Sequence, residues 1–133
     1  MKKICLDTNI FRALSGNDSD VVSIVLNASK ISISFVVFPE LLSSFKNGNK
    51  VKENRFRLTQ FMRKNGVILL HSSGETTESY SDIFVALRRK GCPIPTNDIW
   101  VAAHAIETGL VLITYDRQFE NISCLRLWKG AYQ

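Results

Sequence analysis

Four short runs of aliphatic and β-branched residues punctuate the chain: Lys3 to Leu6, Ile31 to Val37, Val67 to Leu70 and Leu110 to Thr114. They are apolar almost throughout, the pattern of strands covered on both faces. A weaker fifth run extends from Ser123 to Leu127. The segments between them carry helical spacing. Val21, Ile24, Val25 and Ala28 repeat at i, i+3, i+4 and i+7, Phe56, Phe61 and Met62 punctuate a charged stretch, and Ile99, Ala102, Ala103 and Ile106 mark a helix from about Asn97 to Thr108 that Gly109 stops. Strands separated by helices imply a parallel sheet with both faces covered. The expected fold is therefore α/β, a three-layer α/β/α sandwich on a parallel sheet of about five strands.

The chain has 133 residues. That length suits one domain, residues 1–133, and excludes a two-domain enzyme. No apolar run approaches the roughly 20 residues that span a bilayer. Asp7 halts the run that follows Met1-Lys2-Lys3, so no signal peptide is read there and a cytoplasmic protein without a membrane partner is expected. Cys5, Cys92 and Cys124 are odd in number and widely spaced, which indicates neither a disulfide framework nor a zinc site; reduced, buried thiols are expected.

Charge is unevenly distributed. Of 17 Lys and Arg against 12 Asp and Glu, seven bases (Lys46, Lys50, Lys52, Arg55, Arg57, Arg63 and Lys64) fall in residues 46–64 beside the single acid Glu53, so the remainder is close to neutral. Such a patch attracts phosphates with a salt-dependent affinity, although a solvated helix face has the same composition.

In a parallel α/β sheet, ligands bind beyond the carboxyl ends of the strands. The first run leads into Asp7-Thr8-Asn9, the second into Pro39-Glu40 and the fourth into Thr114-Tyr115-Asp116, while Asp98 opens the helix after Pro95. Each acid alone has a structural explanation at a turn or in a first helical turn. Four at one end of a sheet are harder to accommodate. Two carboxylates about 5 Å apart repel by ~3 kcal/mol at an effective dielectric near 20. Either some hold protons or a divalent cation neutralises them, and an all-oxygen donor set suits Mg²⁺ or Mn²⁺.

In order along the chain, Leu6-Asp7-Thr8-Asn9, Pro39-Glu40-Leu41-Leu42, Asn97-Asp98-Ile99-Trp100-Val101-Ala102-Ala103 and Leu112-Ile113-Thr114-Tyr115-Asp116-Arg117-Gln118-Phe119 resemble the four acidic motifs of PIN-domain nucleases, in particular the VapC-like toxins of type II toxin–antitoxin systems. The resemblance runs from about Ile4 to Leu127. It implies a metal-dependent endoribonuclease in which Asp7, Glu40, Asp98 and Asp116 hold one or two Mg²⁺ or Mn²⁺ ions. It also implies that Thr114 sets its hydroxyl beside the metal shell and that Thr8 and Asn9 brace the first acid. The implied partners are an RNA substrate, a cognate antitoxin and a second copy in a homodimer. The second motif is the loosest match. Lys46, Lys50, Lys52, Arg55 and Arg57 are candidates for drawing in RNA, and Tyr115 for stacking on a base.

Other chemistries fit less well. His71 and His104 have no second His or Cys at ligand spacing and read as structural; Trp100 and Trp128 read as core; and Ser72-Ser73-Gly74 lacks a nucleophile elbow. A haloacid-dehalogenase-type phosphatase would want a second Asp where Asn9 stands, and a phospho-receiver would want an acidic pair where Cys5-Leu6 stands. The alternative of a different kind is a non-catalytic PIN-like module that binds RNA or protein.

Overall fold

The first strand of the chain becomes the central strand of the sheet. The computed structural model, which describes residues 2–128, contains β1 (Lys2–Leu6), β2 (Ala28–Ser34), β3 (Val67–Leu70), β4 (Val111–Ile113) and β5 (Arg126–Leu127). All pairings are parallel, and the order is β3-β2-β1-β4-β5. Ile4, Cys5 and Leu6 of β1 have no exposed surface. A strand whose neighbouring side chains point to opposite faces can be sealed in this way only if both faces are covered, as the apolar run predicts. Burying each large aliphatic side chain of this kind contributes roughly 1.5–3 kcal/mol.

Two helices fill each of the first three crossovers: α1 (Thr8–Ser15) and α2 (Ser19–Asn27), then α3 (Val37–Lys46) and α4 (Val51–Met62), then α5 (Gly74–Lys90) and α6 (Thr96–Thr108). A 3-10 turn, Arg117–Asn121, connects β4 to β5. The chain leaves β1 towards β2 and β3 on one side, then returns to β4 and β5 on the other, so the connections diverge beside β1. In open parallel sheets a ligand crevice opens at that point.

The fourth run loses Leu110 and Thr114, which flank β4, and the expected boundaries move further in three other places. The second apolar run reaches Val37, but β2 spans Ala28–Ser34 and Val37 already belongs to α3. Pro39 explains the change: it lies in the first helical turn, where its missing N–H leaves no bond unmade. Ala28 is the first residue of β2 and so leaves the α2 stripe, whose N-cap is Asp18, accepting from the amides of Asp20 and Val21. The fifth strand shrinks to Arg126–Leu127, preceded by Cys124 at φ 66°, a left-handed conformation that no strand accommodates. Gly109 does end α6, at φ 68°, where a side chain would be strained.

Phe56 is 64% exposed and takes no part in the buried stripe of α4, which consists of Leu58 and Phe61. Of the three thiols only Cys5 is buried; Cys92 is half-buried and Cys124 exposed. Burial and the nearby Asp7 push the Cys5 thiol up to about 12, so it stays protonated. Trp100 is half-buried and packs among aromatic rings, 4.3 Å from Tyr80 and 6.1 Å from Phe35, centroid to centroid. His104 is buried on α6, where its Nδ1 is 2.9 Å from the Ser34 hydroxyl, in keeping with a structural role.

Candidate active site

Asp7 follows the last residue of β1 and serves as the N-cap of α1, its Oδ1 accepting the Thr8 amide at 2.9 Å. Its Oδ2 accepts two more donors, the Thr114 hydroxyl at 2.7 Å and the Asn9 amide at 3.1 Å. Only 4% of its surface is exposed. Burial raises its pKa; the bonds from Thr114 and Thr8 oppose that rise, and Glu40 and Asp116 add to it, with a net upward shift.

Thr114, immediately after β4, organises this corner. Its buried hydroxyl donates to Asp7, accepts the Asp116 amide at 3.0 Å and accepts the Asn9 side-chain amide at 3.3 Å. One donor and two acceptor sites are the full capacity of a hydroxyl, so Thr114 is committed to aligning the two acids. Asn9 completes the brace by accepting the Tyr115 amide at 3.3 Å. Asp116 caps the 3-10 turn by accepting the Gln118 amide at 3.0 Å.

Glu40 enters from the first turn of α3 and accepts the Thr8 hydroxyl at 3.1 Å. Thr8 therefore spans two acids, its amide on Asp7 and its hydroxyl on Glu40, whereas the resemblance implies a brace for Asp7 alone. Asp98 stands in the first turn of α6, half-buried, with no side-chain hydrogen bond among the described residues. Burial, then Asp7, Asp116 and Glu40 in that order, push its carboxyl up to about 7.

All four acids line one cleft of about 960 Å³. Asp116 Oδ2, Glu40 Oε2 and both oxygens of Asp98 have no hydrogen-bond partner among the described residues and are available as oxygen donors. As arranged, the described residues contain no group of three His, Cys, Asp or Glu that could hold an ion.

Four carboxylates stand at the diverging edge of a parallel sheet, and the sequence model of the PIN domain matches residues 4–124. The chain belongs to the PIN domain family. This PIN domain is 30% identical over 129 residues to the tRNA(fMet)-specific endonuclease VapC of Shigella flexneri, covering 95% of this chain and 96% of that one. It is 29% identical over 126 residues to ribonuclease VapC1 of Haemophilus influenzae strain R2866, covering 91% and 92%. Its fold matches a chain of VapBC2 from Rickettsia felis, solved bound to a DNA fragment from their promoter. That match has a TM-score of 0.80 at 28% identity and covers 94% of this chain and 96% of that one. The PIN-like architecture and the VapC-like resemblance implied by the motifs are thus both met.

The other candidates of this PIN domain fall in different places. Arg57 lines the cleft; Lys46, Lys50, Lys52 and Arg55 do not. Tyr115 is also outside the lining. Its hydroxyl donates to Asp18 at 2.6 Å and its ring meets Trp128 edge-on at 5.7 Å, so it ties the loop after β4 to the start of α2. The sequence reading missed Arg12 and Asn54, both of which face the cleft, and an apolar half built on Phe11, Phe45 and Phe61. For Arg12 a signal existed: it follows Thr8 by four residues, and one helical turn places both on the same face.

Proposed function

We propose that this PIN domain, acting as one unit over residues 1–133, is a divalent-metal-dependent endoribonuclease and the toxin of a toxin–antitoxin pair. The observation that carries this reading is the convergence of Asp7, Glu40, Asp98 and Asp116, from four separate stretches of chain, on one cleft. Burial raises the carboxyls of Asp7 and Asp98 and the neighbouring acids add to the rise, a combination of desolvation and like charge that a hard cation relieves. Asp7, Glu40, Asp98 and Asp116 would hold one or two Mg²⁺ or Mn²⁺ ions, directly or through water. A bound ion would supply Lewis acidity and an acidified water for phosphodiester hydrolysis.

The chain's own residues have separable tasks in this reading. Thr114 and Asn9 brace the Asp7 carboxylate, and Thr8, the next residue, bonds Glu40. Asp98, with no side-chain hydrogen bond among the described residues, keeps both oxygens open to an ion. The first substrate class to test is tRNA, the class named in the Shigella flexneri relative. The apolar half of the cleft suits side chains of an antitoxin, and pairing of two copies in the cytoplasm belongs to the same reading.

The test is cleavage of total tRNA by purified protein with Mn²⁺ or Mg²⁺, with EDTA, and with Asp98→Asn. Metal-dependent cutting that falls at least a hundredfold in the variant is expected. Equal activity of Asp98→Asn and the parent would overturn the reading. The absence of a ready-made three-ligand group keeps one second reading in view, a binding module without turnover. RNA binding with no cleavage under any metal would establish it.

A further inference from the structure

We infer that Arg12 and Arg57 form a phosphate clamp inside the cleft, holding the RNA strand beside the four acids. This rests on the endoribonuclease reading and adds residues that position the substrate. Any nuclease site built from carboxylates repels the backbone it must cut, so an opposite charge has to be supplied nearby without quenching the acids. Arg12 on α1 and Arg57 on α4 line the same cleft as Asp7, Glu40, Asp98 and Asp116. Neither guanidinium pairs with any of those acids: Arg57 bonds Glu53 at 2.9 Å on its own helix, and Arg12 has no ion pair among the described residues. Cations and anions thus share one cleft while remaining segregated within it.

Their placement follows from helical geometry. Arg12 stands one turn beyond Thr8, about 6 Å further along α1 from the residue that holds Glu40. Arg57 stands one turn beyond Asn54, which lines the same cleft and carries a neutral donor. The two helices meet where Phe11 packs edge-on against Phe61 at 5.4 Å, which holds the two walls together. A guanidinium fork matches two phosphate oxygens, and the exposed Glu53 bond is easily exchanged for one to phosphate. Lys46, Lys50, Lys52 and Arg55, outside the cleft, then act at longer range, steering RNA inwards without fixing its register.

The test measures binding of fluorescein-labelled single-stranded RNA of mixed sequence by anisotropy across a NaCl series with Mn²⁺ present. Every protein carries Asp98→Asn to prevent turnover. Arg12→Gln and Arg57→Gln are each expected to weaken binding about tenfold and to flatten the plot of log affinity against log salt by about 0.7, one single-strand phosphate contact each. Arg12→Lys should keep the slope but recover only part of the affinity. Lys30→Gln, near the other end of β2, should change neither. An unchanged slope in Arg12→Gln, or equal flattening by Lys30→Gln, would overturn the clamp while leaving the nuclease reading intact. RNA binding to none of these proteins would remove both. Matching thermal unfolding curves identify the variants as folded.

Discussion

Asp98 carries a carboxyl in surroundings that disfavour its charged form. Its carboxyl has an ordinary value of 3.8 and is pushed up to about 7, first by burial and then by three neighbouring acids. Between those two pH values the folded chain holds a proton that the unfolded chain has released. Stability therefore falls as pH rises through that window. In EDTA, Asp98→Asn is expected to melt a few degrees above the parent at pH 8 and level with it at pH 4, measured by circular dichroism. A constant gap across the pH range would show that the like charge around Asp98 is already compensated. His104 contributes with the opposite sign, since burial lowers its pKa and acidification forces a charge into the core, but that contribution is common to both proteins and cancels. At this scale the four acids were legible because Asp and Glu at strand ends are conspicuous. Asn54 was not, because a half-buried Asn on a helix has no local peculiarity, and Arg12 left only its four-residue spacing from Thr8.

At the scale of elements, the strands were read from their apolar content and the helix limits from Gly and Pro. The readings fail where two signals compete, as at Val36 and Val37, whose β-branched side chains favour a strand while Pro39 starts a helix. Both residues remain buried, so the core accepts them in either conformation. A cross-element bond that no local pattern announces joins α5 to α6. Glu107 accepts the Ser73 hydroxyl at 2.9 Å and also the hydroxyl of Thr76, the two residues that form the capping box of α5. Thr76 is fully buried, and without Glu107 its hydroxyl loses a charged acceptor and keeps only Ser73 as partner. Glu107→Ala is expected to cost about 1–3 kcal/mol in urea unfolding and to speed amide exchange in the first turn of α5, with Glu107→Gln intermediate. If the urea midpoint of Glu107→Ala equals that of the parent, the network contributes nothing to stability.

For the whole molecule, the decisive fact is that β1 lies between β2 and β4. Asp7 at the end of β1 then meets Asp116 beyond β4, more than a hundred residues later, while α3 and α6 deliver Glu40 and Asp98 to the same edge. Cations that bind the assembled cluster but not the unfolded chain must stabilise the fold, by about 2.7 kcal/mol at a concentration a hundredfold above Kd. Mn²⁺ is therefore expected to raise the melting temperature of the parent at pH 7.5 and to leave that of Asp7→Asn nearly unchanged. An equal rise in both would place the ion elsewhere. No helix among the described residues is long and apolar enough to cross a membrane.

Strand and helix type, the parallel sense of the sheet and the identity of the four acids were all present in one dimension, because each depends on residue type and on spacing over a few positions. Only the three-dimensional arrangement decided the order of the strands, the hydroxyl of Thr114 spent on Asp7 and Asp116, the removal of Tyr115 from the cleft, and the arrival of Arg12 and Arg57 beside the acids. Those outcomes depend on contacts between residues distant in the chain, which are set by how helices dock on the sheet; spacing along one helix can pair Arg12 with Thr8 but cannot say which acids the pair will face.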